Sequence, residues 1–307
     1  MSKKTILLSA IAALAMISCN NAAVDSVDNA ATSAKDVSHA ITASKFDGAK
    51  LRDVLGAQSD KAKARYEARH PYETLEFFGI APGMTVADAL PGGGWYSKIL
   101  IPYLGDGGHM IGMDYSIKMW PEFGGFANAE FIEKKKNWAA EWVEGAQAWR
   151  SGTQGGIDAF TFGSRDAAMD GSVDAVLFIR ALHNLARFED EGGYLTEALQ
   201  DSHALLKPGG ILGVVQHQGP EGNDDEWAEG DKGYLKKSQL VAKFEAAGFE
   251  LVKESAINEN PKDVPSNDDI VWRLPPSLGT SKDNPELKAQ MEAIGESNRM
   301  TLLFKKS

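Results

Sequence analysis

Short apolar runs alternate along the chain with longer stretches in which apolar and polar residues recur at helical spacing. Seven of these runs predict β-strands, because each is short and is bounded by turn-forming residues or by a helical stretch. The run over 173–180 is almost wholly apolar, which is typical of a strand covered on both faces. The predicted strands cover residues 85–90, 108–114, 157–162, 173–180, 211–216, 249–255 and 300–304.

Helix-forming stretches precede the first predicted strand and separate most of the later ones. The first of them is broken at His70-Pro71, since proline lacks a backbone donor and restricts the residue before it. Strands that alternate with helices predict an α/β domain with a mostly parallel sheet, which we assign to residues 46–307. A connection over 256–299, rich in Asn, Asp and Pro, joins the last two strands. The predicted helices cover 59–78, the residues from the end of a glycine run to 104, 134–150, 192–206 and 236–247.

The amino end has the pattern of an export signal. Lys3-Lys4 is followed by an apolar run over 6–17 and by Ser18, so residues 1–18 are predicted to be a cleaved signal peptide. The segment that ends in Cys19 also resembles a bacterial lipobox, which implies that Cys19 is acylated and holds the protein at a membrane. Residues 19–45 are small and polar, which predicts a flexible tether. We therefore expect an exported, periplasmic, lipid-anchored protein.

Composition and charge exclude several classes of function. The 307 residues include 43 acidic and 32 basic ones, a net charge of −11, which disfavours a nucleic-acid partner. A single cysteine excludes an internal disulfide and a thiolate zinc cluster. The acidic loop that follows the fifth predicted strand lacks EF-hand spacing, and no zincin, Walker or serine-hydrolase motif occurs. No metal site is predicted.

A glycine run follows the first predicted strand, where an open α/β sheet binds its ligands. Gly92, Gly93 and Gly94 precede a helix, so the backbone there can approach a ligand closely and offer free N–H groups. The second predicted strand ends at Asp114, an acid placed to accept hydrogen bonds from two ribose hydroxyls. The pattern predicts a nucleoside-binding crevice.

This pattern resembles the class I S-adenosylmethionine-dependent methyltransferase superfamily. The segment Asp88-Ala-Leu-Pro-Gly-Gly-Gly94 is similar to its D-x-G-x-G-x-G motif, and Lys207-Pro-Gly-Gly210 to its frequent turn before the fifth strand. The segments around Pro82 and Trp95 also resemble a family of predicted bacterial methyltransferases, many of them exported. The resemblance implies a Rossmann-like seven-stranded sheet, mostly parallel with one antiparallel strand and helices on both faces.

The same resemblance implies S-adenosylmethionine as the cofactor. It places the ribose on Asp114, the amino-acid part near Asp88, and the adenine beside residues 164–166. The residues assigned to cofactor binding are Asp88, Gly92, Gly93, Gly94, Asp114, Ser164, Arg165, Asp166 and Arg180.

Two histidines are candidates for the catalytic base. His183 follows the fourth predicted strand and His217 ends the fifth, so both strand ends open onto one crevice. A histidine near its ordinary pKa can take a proton from a hydroxyl or amine. Trp95 and Tyr96 follow the glycines and either attract a sulfonium cation or pack the helix.

Three hypotheses about function remain open on the sequence. The first is methyl transfer to an unknown small-molecule acceptor by an exported protein. Leu90, which stands at the first glycine position of the motif, and the export signal favour two others. One is a binding or scaffolding lipoprotein that keeps the fold without catalysis, and the other is an enzyme for another nucleoside-like ligand.

Overall fold

Seven strands form one sheet in the computed structural model, which describes residues 45–150, 152 and 155–307. All seven predicted strands are present, within a few residues of the predicted bounds except at the start of the fifth. They are β1 Thr85–Ala89, β2 His109–Asp114, β3 Ile157–Thr161, β4 Val173–Ile179, β5 Leu206–His217, β6 Phe249–Ser255 and β7 Arg299–Lys306.

The order of strands across the sheet is β3-β2-β1-β4-β5-β7-β6. The pairs among β1 to β5 are parallel, whereas β7 is antiparallel to both of its neighbours, β5 and β6. The predicted fold, a mostly parallel seven-stranded sheet with one antiparallel strand, is confirmed. The sheet order reverses between β1 and β4, the position at which such sheets bind ligands.

Helices cover both faces of the sheet. They are α1 Gly48–Gly56, α2 Asp60–Lys63, α3 Tyr66–Arg69, α4 Pro71–Phe78, α5 Ser97–Leu104, α6 Ala129–Lys135, α7 Trp138–Ala146, α8 Leu182–Arg187, α9 Glu189–Gly192, α10 Tyr194–Leu205, α11 Lys237–Ala246 and α12 Pro285–Ile294. Successive residues of β4 enter different hydrophobic clusters, Val176 and Phe178 with α8, α10 and α11 on one face and Leu177 with α1, α4, α5 and α7 on the other. Both faces are therefore buried, as the apolar run over 173–180 predicts.

The first helical stretch is broken where the sequence predicts. His70 ends α3 in the left-handed region, with φ of 41°, and Pro71 begins α4. Proline fits this first helical position because its missing N–H would have no partner there.

Residues 207–210 differ from the sequence prediction. We expected a turn before the fifth strand, but β5 already begins at Leu206 and pairs there with Val173. The next paired residues are Ala175 and Ile211, so four residues of β5 bulge opposite one residue of β4. Gly209, with φ of 70°, allows the bulge, because a side chain is disfavoured in that region.

The connection between β6 and β7 is anchored to the domain. The buried Asp263 carboxylate accepts hydrogen bonds from Tyr234 Oη at 3.0 Å, Arg273 Nη2 at 2.7 Å and the Asn298 backbone N–H at 2.9 Å. This connection also contains a 3-10 turn at Val271–Arg273 and helix α12. It brings residues from both its middle and its end to the carboxyl edge of the parallel strands.

The predicted signal peptide (1–18), Cys19 and nearly all of the predicted tether lie outside the described residues. Among the residues that are described, no helix has the length and apolar character needed to cross a membrane.

Candidate functional site

A cavity of about 350 Å³ lies at the carboxyl ends of β1, β4 and β5. Its walls come from the loop after β1, the residues after β4, the end of β5 and the connection before β7. The structure therefore brings together residues from both halves of the predicted crevice. Those that the sequence had singled out as site residues are Asp88, Gly92, Gly93, Arg180, His183 and His217.

The three glycines of the loop have different roles. A Cβ on Gly93 would meet no atom within 4 Å, so open space lies beside this residue where it lines the cavity. Gly92 also lines the cavity and has φ of 53°. Gly94, by contrast, packs under an indole ring, since its Cβ would lie 2.5 Å from Cη2 of Trp149. The first two glycines leave room for a ligand and the third leaves room for a tryptophan.

Leu90 lines the cavity at the position where the resembled motif has glycine. Its φ is 55°, a left-handed conformation that costs a leucine about 1–2 kcal/mol. The backbone N–H of Leu90 donates to Met113 O at 2.7 Å, which holds the loop against β2. The loop thus keeps the conformation suited to glycine while carrying a larger side chain.

Asp88 is buried near the end of β1 and lines the cavity. Ser97 Oγ, at the start of α5, donates a hydrogen bond of 2.7 Å to its Oδ2. Burial raises the pKa of Asp88 to about 7, although the Ser97 hydrogen bond opposes the rise. Asp88 therefore exchanges a proton close to neutral pH and can present either a hydroxyl or a carboxylate to a ligand.

Asp114 is buried at the end of β2 and does not line this cavity. Lys135 Nζ lies 2.9 Å from its Oδ2 and 4.3 Å from the centre of the Trp120 ring. Burial raises the pKa of Asp114, and the hydrogen bond from Lys135 opposes that rise. A ribose that binds Asp114 must displace this lysine or share the carboxylate with it.

Residues 164–166 lie apart from the cavity. Ser164 Oγ donates to Thr161 O at 2.7 Å, and Asp166 Oδ1 accepts from the Ala168 backbone N–H at 2.9 Å. Arg165 forms ion pairs with Asp201, at 3.3 Å, and with Asp170. Ser164 and Asp166 thus stabilise their own loop, whereas Arg165 also connects it to α10. The adenine contact assigned to these residues stays a prediction.

The rings of the two candidate base residues are in contact at the wall of the cavity, with centroids 5.5 Å apart. Gln216 Nε2 donates to Gly233 O at 3.1 Å and lies 3.4 Å from His183 Nδ1. Because this amide nitrogen has no lone pair to offer, His183 Nδ1 is the acceptor and the ring proton is on Nε2. His217 Nδ1 lies 2.6 Å from Ser297 Oγ, which can act as donor or acceptor.

Both histidines are neutral at pH 7. Burial lowers the pKa of His183 to about 4, although the hydrogen bond from Gln216 opposes this effect. Burial lowers the pKa of His217 well below its ordinary value, and the positive charge of a protonated His183 would lower it further. Arg180 disfavours the protonated form of both rings. A neutral His217 that donates from Nδ1 to Ser297 has a lone pair on Nε2 for a proton.

Trp95 and Tyr96 already have partners within the protein. The Arg69 guanidinium carbon lies 4.9 Å from the centre of the Trp95 ring, which occupies one face of the indole. Tyr96 is buried, and its hydroxyl lies 3.4 Å from Arg69 O. These contacts favour the packing role over the attraction of a sulfonium.

Apart from Arg180, which was assigned to cofactor binding, sequence reasoning missed a cluster of four arginines around one carboxylate, which we call the Glu296 cluster. Arg65 Nη2 and Arg69 Nε lie 2.8 and 3.4 Å from Glu296 Oε1, while Arg299 Nη1 and Arg180 Nη1 lie 3.2 and 3.9 Å from Oε2. Although burial alone would raise it, these cations, led by Arg69, lower the pKa of Glu296.

One signal in the sequence could have found part of this cluster. Because β7 is antiparallel to β5, its first residue lies at the same edge as the carboxyl ends of the parallel strands, and Arg299 pairs with His217. A charged residue at the start of a buried final strand therefore belongs to the crevice. Arg65 and Arg69 give no comparable signal, because their position depends on how α3 packs.

No group of three or more His, Cys, Asp or Glu side chains suited to a metal ion occurs in the part of the chain that the structure describes.

Comparisons with known proteins give matches to solved structures only, since no family model and no curated protein matches this chain. One match is a SAM-dependent methyltransferase from Aquifex aeolicus, with 15% identity, 86% of this chain and 100% of that chain covered, and a TM-score of 0.44.

Two further matches have similarly low scores. One is 1,6-didemethyltoxoflavin-N1-methyltransferase from Burkholderia thailandensis, with bound S-adenosylhomocysteine, at 15% identity, 83% of this chain and 82% of that chain covered, and a TM-score of 0.41. The other is an arsenic (III) S-adenosylmethionine methyltransferase from Chlamydomonas reinhardtii, at 12% identity, 85% of this chain and 73% of that chain covered, and a TM-score of 0.41. With identities and TM-scores this low, the fold of the chain is identified by its own strand order and directions.

Proposed function

We propose that this protein transfers a methyl group from S-adenosylmethionine to a small-molecule acceptor. One observation carries the proposal: a glycine loop after β1 and two neutral histidines after β4 and β5 line the same cavity. That cavity lies where the strand order of the sheet reverses, which is the ligand position of such sheets. The nucleoside-type loop and the proton-handling groups thus have a common space.

The loop fits the adenosyl group by its backbone. Open space beside Gly93 suits a ligand that approaches the chain closely. Gly92 and Gly93 would hold the ligand by their backbone, Asp88 its amino-acid part, and Asp114 its ribose after release from Lys135. The cofactor, when bound, supplies an electrophilic methyl group.

The histidines then act on the acceptor. His217 accepts a proton at Nε2 from the hydroxyl or amine that becomes methylated, with Ser297 holding Nδ1. His183, whose ring proton is on Nε2, donates a hydrogen bond and orients the acceptor. The cavity brings the acceptor atom into line with the methyl group.

Leu90 favours a second candidate function. Its side chain lines the cavity at the loop position where the resembled motif has no side chain. This crowding suits a scaffolding or binding protein without catalysis, or an enzyme for another nucleoside-like ligand with a shorter group at this position.

We also propose that the protein is exported and anchored through an acylated Cys19. Support comes from the lysine pair, the apolar run and the small residue that precede Cys19. Acyl chains contribute about 0.8 kcal/mol per buried CH₂, so a doubly or triply acylated cysteine holds a protein firmly at a membrane.

Isothermal titration calorimetry of the purified full chain with S-adenosylmethionine and S-adenosylhomocysteine tests the methyltransferase proposal. We expect saturable binding of both ligands. If adenosine binds but neither S-adenosyl compound does, the result would favour the enzyme for another nucleoside-like ligand. No binding of any of the three would leave the scaffolding alternative.

A further inference from the structure

We propose that the Glu296 cluster binds an oxyanion, a carboxylate or a phosphate, carried by the acceptor molecule. That the anion is part of an acceptor rests on the proposed methyl transfer, whereas the anion site itself rests on charges and contacts. It assigns a substrate class: small anionic molecules with a nucleophilic hydroxyl or amine.

The charge balance of the cluster is the first argument. Four guanidinium groups surround one carboxylate, which leaves three positive charges in a protein whose net charge is −11. The side chains of Arg299 and Arg69 are only 4% and 9% exposed. Burying cations without matching anions is costly, so a site of this kind is completed by an anionic partner.

The unsatisfied hydrogen-bonding groups are the second argument. Arg180 Nε is buried without a hydrogen-bond partner, and the Arg180 guanidinium makes no hydrogen bond to any described residue. Arg69 Nε is likewise buried without a hydrogen bond and has only the 3.4 Å ion pair with Glu296. Buried donors are normally satisfied, and an arginine fork matches a carboxylate or phosphate in geometry.

The position of the cluster is the third argument. Arg180 lines the cavity with the two histidines, whereas Arg65 and Arg69 line a neighbouring cavity of about 590 Å³. Gly93 and Trp95 line both cavities, so the two spaces adjoin. The glycine loop follows β1 and Asp114 ends β2, whereas Arg180 follows β4 and Arg299 begins β7. An adenosyl ligand on the first pair of strands leaves the cluster for a second molecule.

The charge of a methyl donor strengthens this assignment. A sulfonium next to three net positive charges is repelled, and an oxyanion bound at the cluster reduces that repulsion. We therefore expect the anion and S-adenosylmethionine to bind with positive cooperativity.

Calorimetry of the full chain with inorganic phosphate and, separately, with malonate tests the site. We expect at least one of them to bind in the millimolar range or tighter, and Arg180→Gln to weaken that binding at least tenfold, the cost of losing a charge-assisted hydrogen bond. Arg187→Gln, on the exposed end of α8, is the matched control and should bind as the wild type does. If only phosphate or only malonate binds, the result identifies the oxyanion of the acceptor as a phosphate or as a carboxylate.

Stability measurements keep the test independent of folding defects. Without an anion, Arg180→Gln should melt at the wild-type temperature or above it, because the variant loses a buried cation and no side-chain hydrogen bond, and the ion pair that it gives up with Glu296 is a long one of 3.9 Å. Added anion should raise the melting temperature of the wild type but not of this variant. If Arg180→Gln does not fold, Arg69→Gln replaces it in the calorimetry and in the test of whether added anion raises the melting temperature.

Three results would overturn the proposal: neither anion binds, Arg180→Gln binds them as the wild type does, or S-adenosylhomocysteine displaces the bound anion. The last result would mean that the arginines hold the carboxylate of the adenosyl ligand itself. Anion binding without any binding of S-adenosyl compounds would leave the anion site standing and remove the methyl transfer.

Discussion

Leu90 and Arg180 follow the adjacent parallel strands β1 and β4, and both have left-handed backbones, with φ of 55° and 58°. The backbone N–H of Leu90 donates to β2 through Met113 O, and that of Arg180 donates to β5 through Val215 O. Both side chains line the same cavity. Strained non-glycine residues of this kind cluster at functional sites, so the strain supports the assignment of the cavity as the site.

Leu90→Gly should relieve strain and open the cavity. We expect the free energy of unfolding to stay unchanged or to rise by up to about 1 kcal/mol, since relief of the left-handed leucine is partly offset by the entropy of glycine in the unfolded chain. Binding of S-adenosylhomocysteine should become tighter. Denaturant melts and calorimetry measure the two effects.

Leu278→Gly is the matched control for that variant, because Leu278 also has a left-handed backbone, with φ of 49°, and does not line the cavity. It should change stability in the same sense and leave ligand binding unchanged. Equal effects of both variants on binding would contradict the crowding that we assign to Leu90.

Gly93→Ala should weaken the adenosyl ligand without unfolding the protein. The added methyl meets no protein atom within 4 Å, so it fills only the space in which the ligand approaches the backbone. Gly145→Ala, in α7, also meets no atom and serves as the control away from the cavity. Calorimetry should show weaker binding for the first variant alone, and unchanged binding in Gly93→Ala would remove the loop from the site.

Gly94→Ala, unlike Gly93→Ala, should destabilise the folded protein. Its Cβ would lie 2.5 Å from the Trp149 ring and its φ is 73°, so the variant strains both packing and backbone. We expect a loss of about 1–3 kcal/mol in the free energy of unfolding. A denaturant melt checks this, and a variant as stable as the wild type would show that Trp149 moves aside easily.

Asp114 and Lys135 give a paired test of ribose binding. Asp114→Asn should weaken S-adenosylhomocysteine at least tenfold, because the charged acceptor of its hydroxyls is lost. Lys135→Met should tighten the same ligand, because it frees the carboxylate that Lys135 now occupies. If both variants bind as the wild type does, Asp114 does not hold a ribose.

The pKa of His183 predicts a pH effect with a definite sign. Its folded value of about 4 lies below the unfolded value near 6.5, so the unfolded chain binds more protons between these limits. The contribution of the neutral ring to stability is complete above the unfolded pKa and is lost as the pH falls towards 4. Relative to His183→Gln, the free energy of unfolding of the wild type should fall by about 1.4 kcal/mol for each unit by which the pH falls across that range.

Asp88 provides the opposite sign as a control. Its folded pKa, about 7, lies above the ordinary value, so the folded protein binds the extra proton and Asp88 favours folding at low pH. Relative to Asp88→Asn, the wild type should therefore gain stability as the pH falls from about 7 towards 4. Melts of the three proteins across this range separate the two groups, and parallel pH profiles would contradict both pKa shifts.

Cys19→Ala should release the protein from membrane fractions. The prediction follows from the lipobox-like segment, since an alanine cannot be acylated through sulfur. Mass spectrometry of the mature amino end should find an acylated Cys19 in the wild type. An unmodified amino terminus, or cleavage at another position, would remove the lipid anchor.

The sequence predicts the sheet well because buried parallel strands must be apolar on both faces. It predicts the meeting of His183 and His217 equally well, because the carboxyl ends of neighbouring parallel strands meet at one edge. The Lys135 partner of Asp114 could not be predicted, because it depends on how the residues after β2 fold back. Glu296 was missed for a similar reason, since its place depends on the path of the connection over 256–299.

The position of β7 between β5 and β6 has a consequence for biosynthesis. The ribosome makes β7 after all six other strands, yet β6 has no other partner in the sheet and the Glu296 cluster lacks Arg299 until β7 inserts. A nascent chain that has not passed Arg299 therefore carries an incomplete site and an unpaired strand. Ribosome-bound chains stopped before Arg299 should be digested by protease far faster than released chains, and equal resistance would show that the rest of the sheet folds without its last strand.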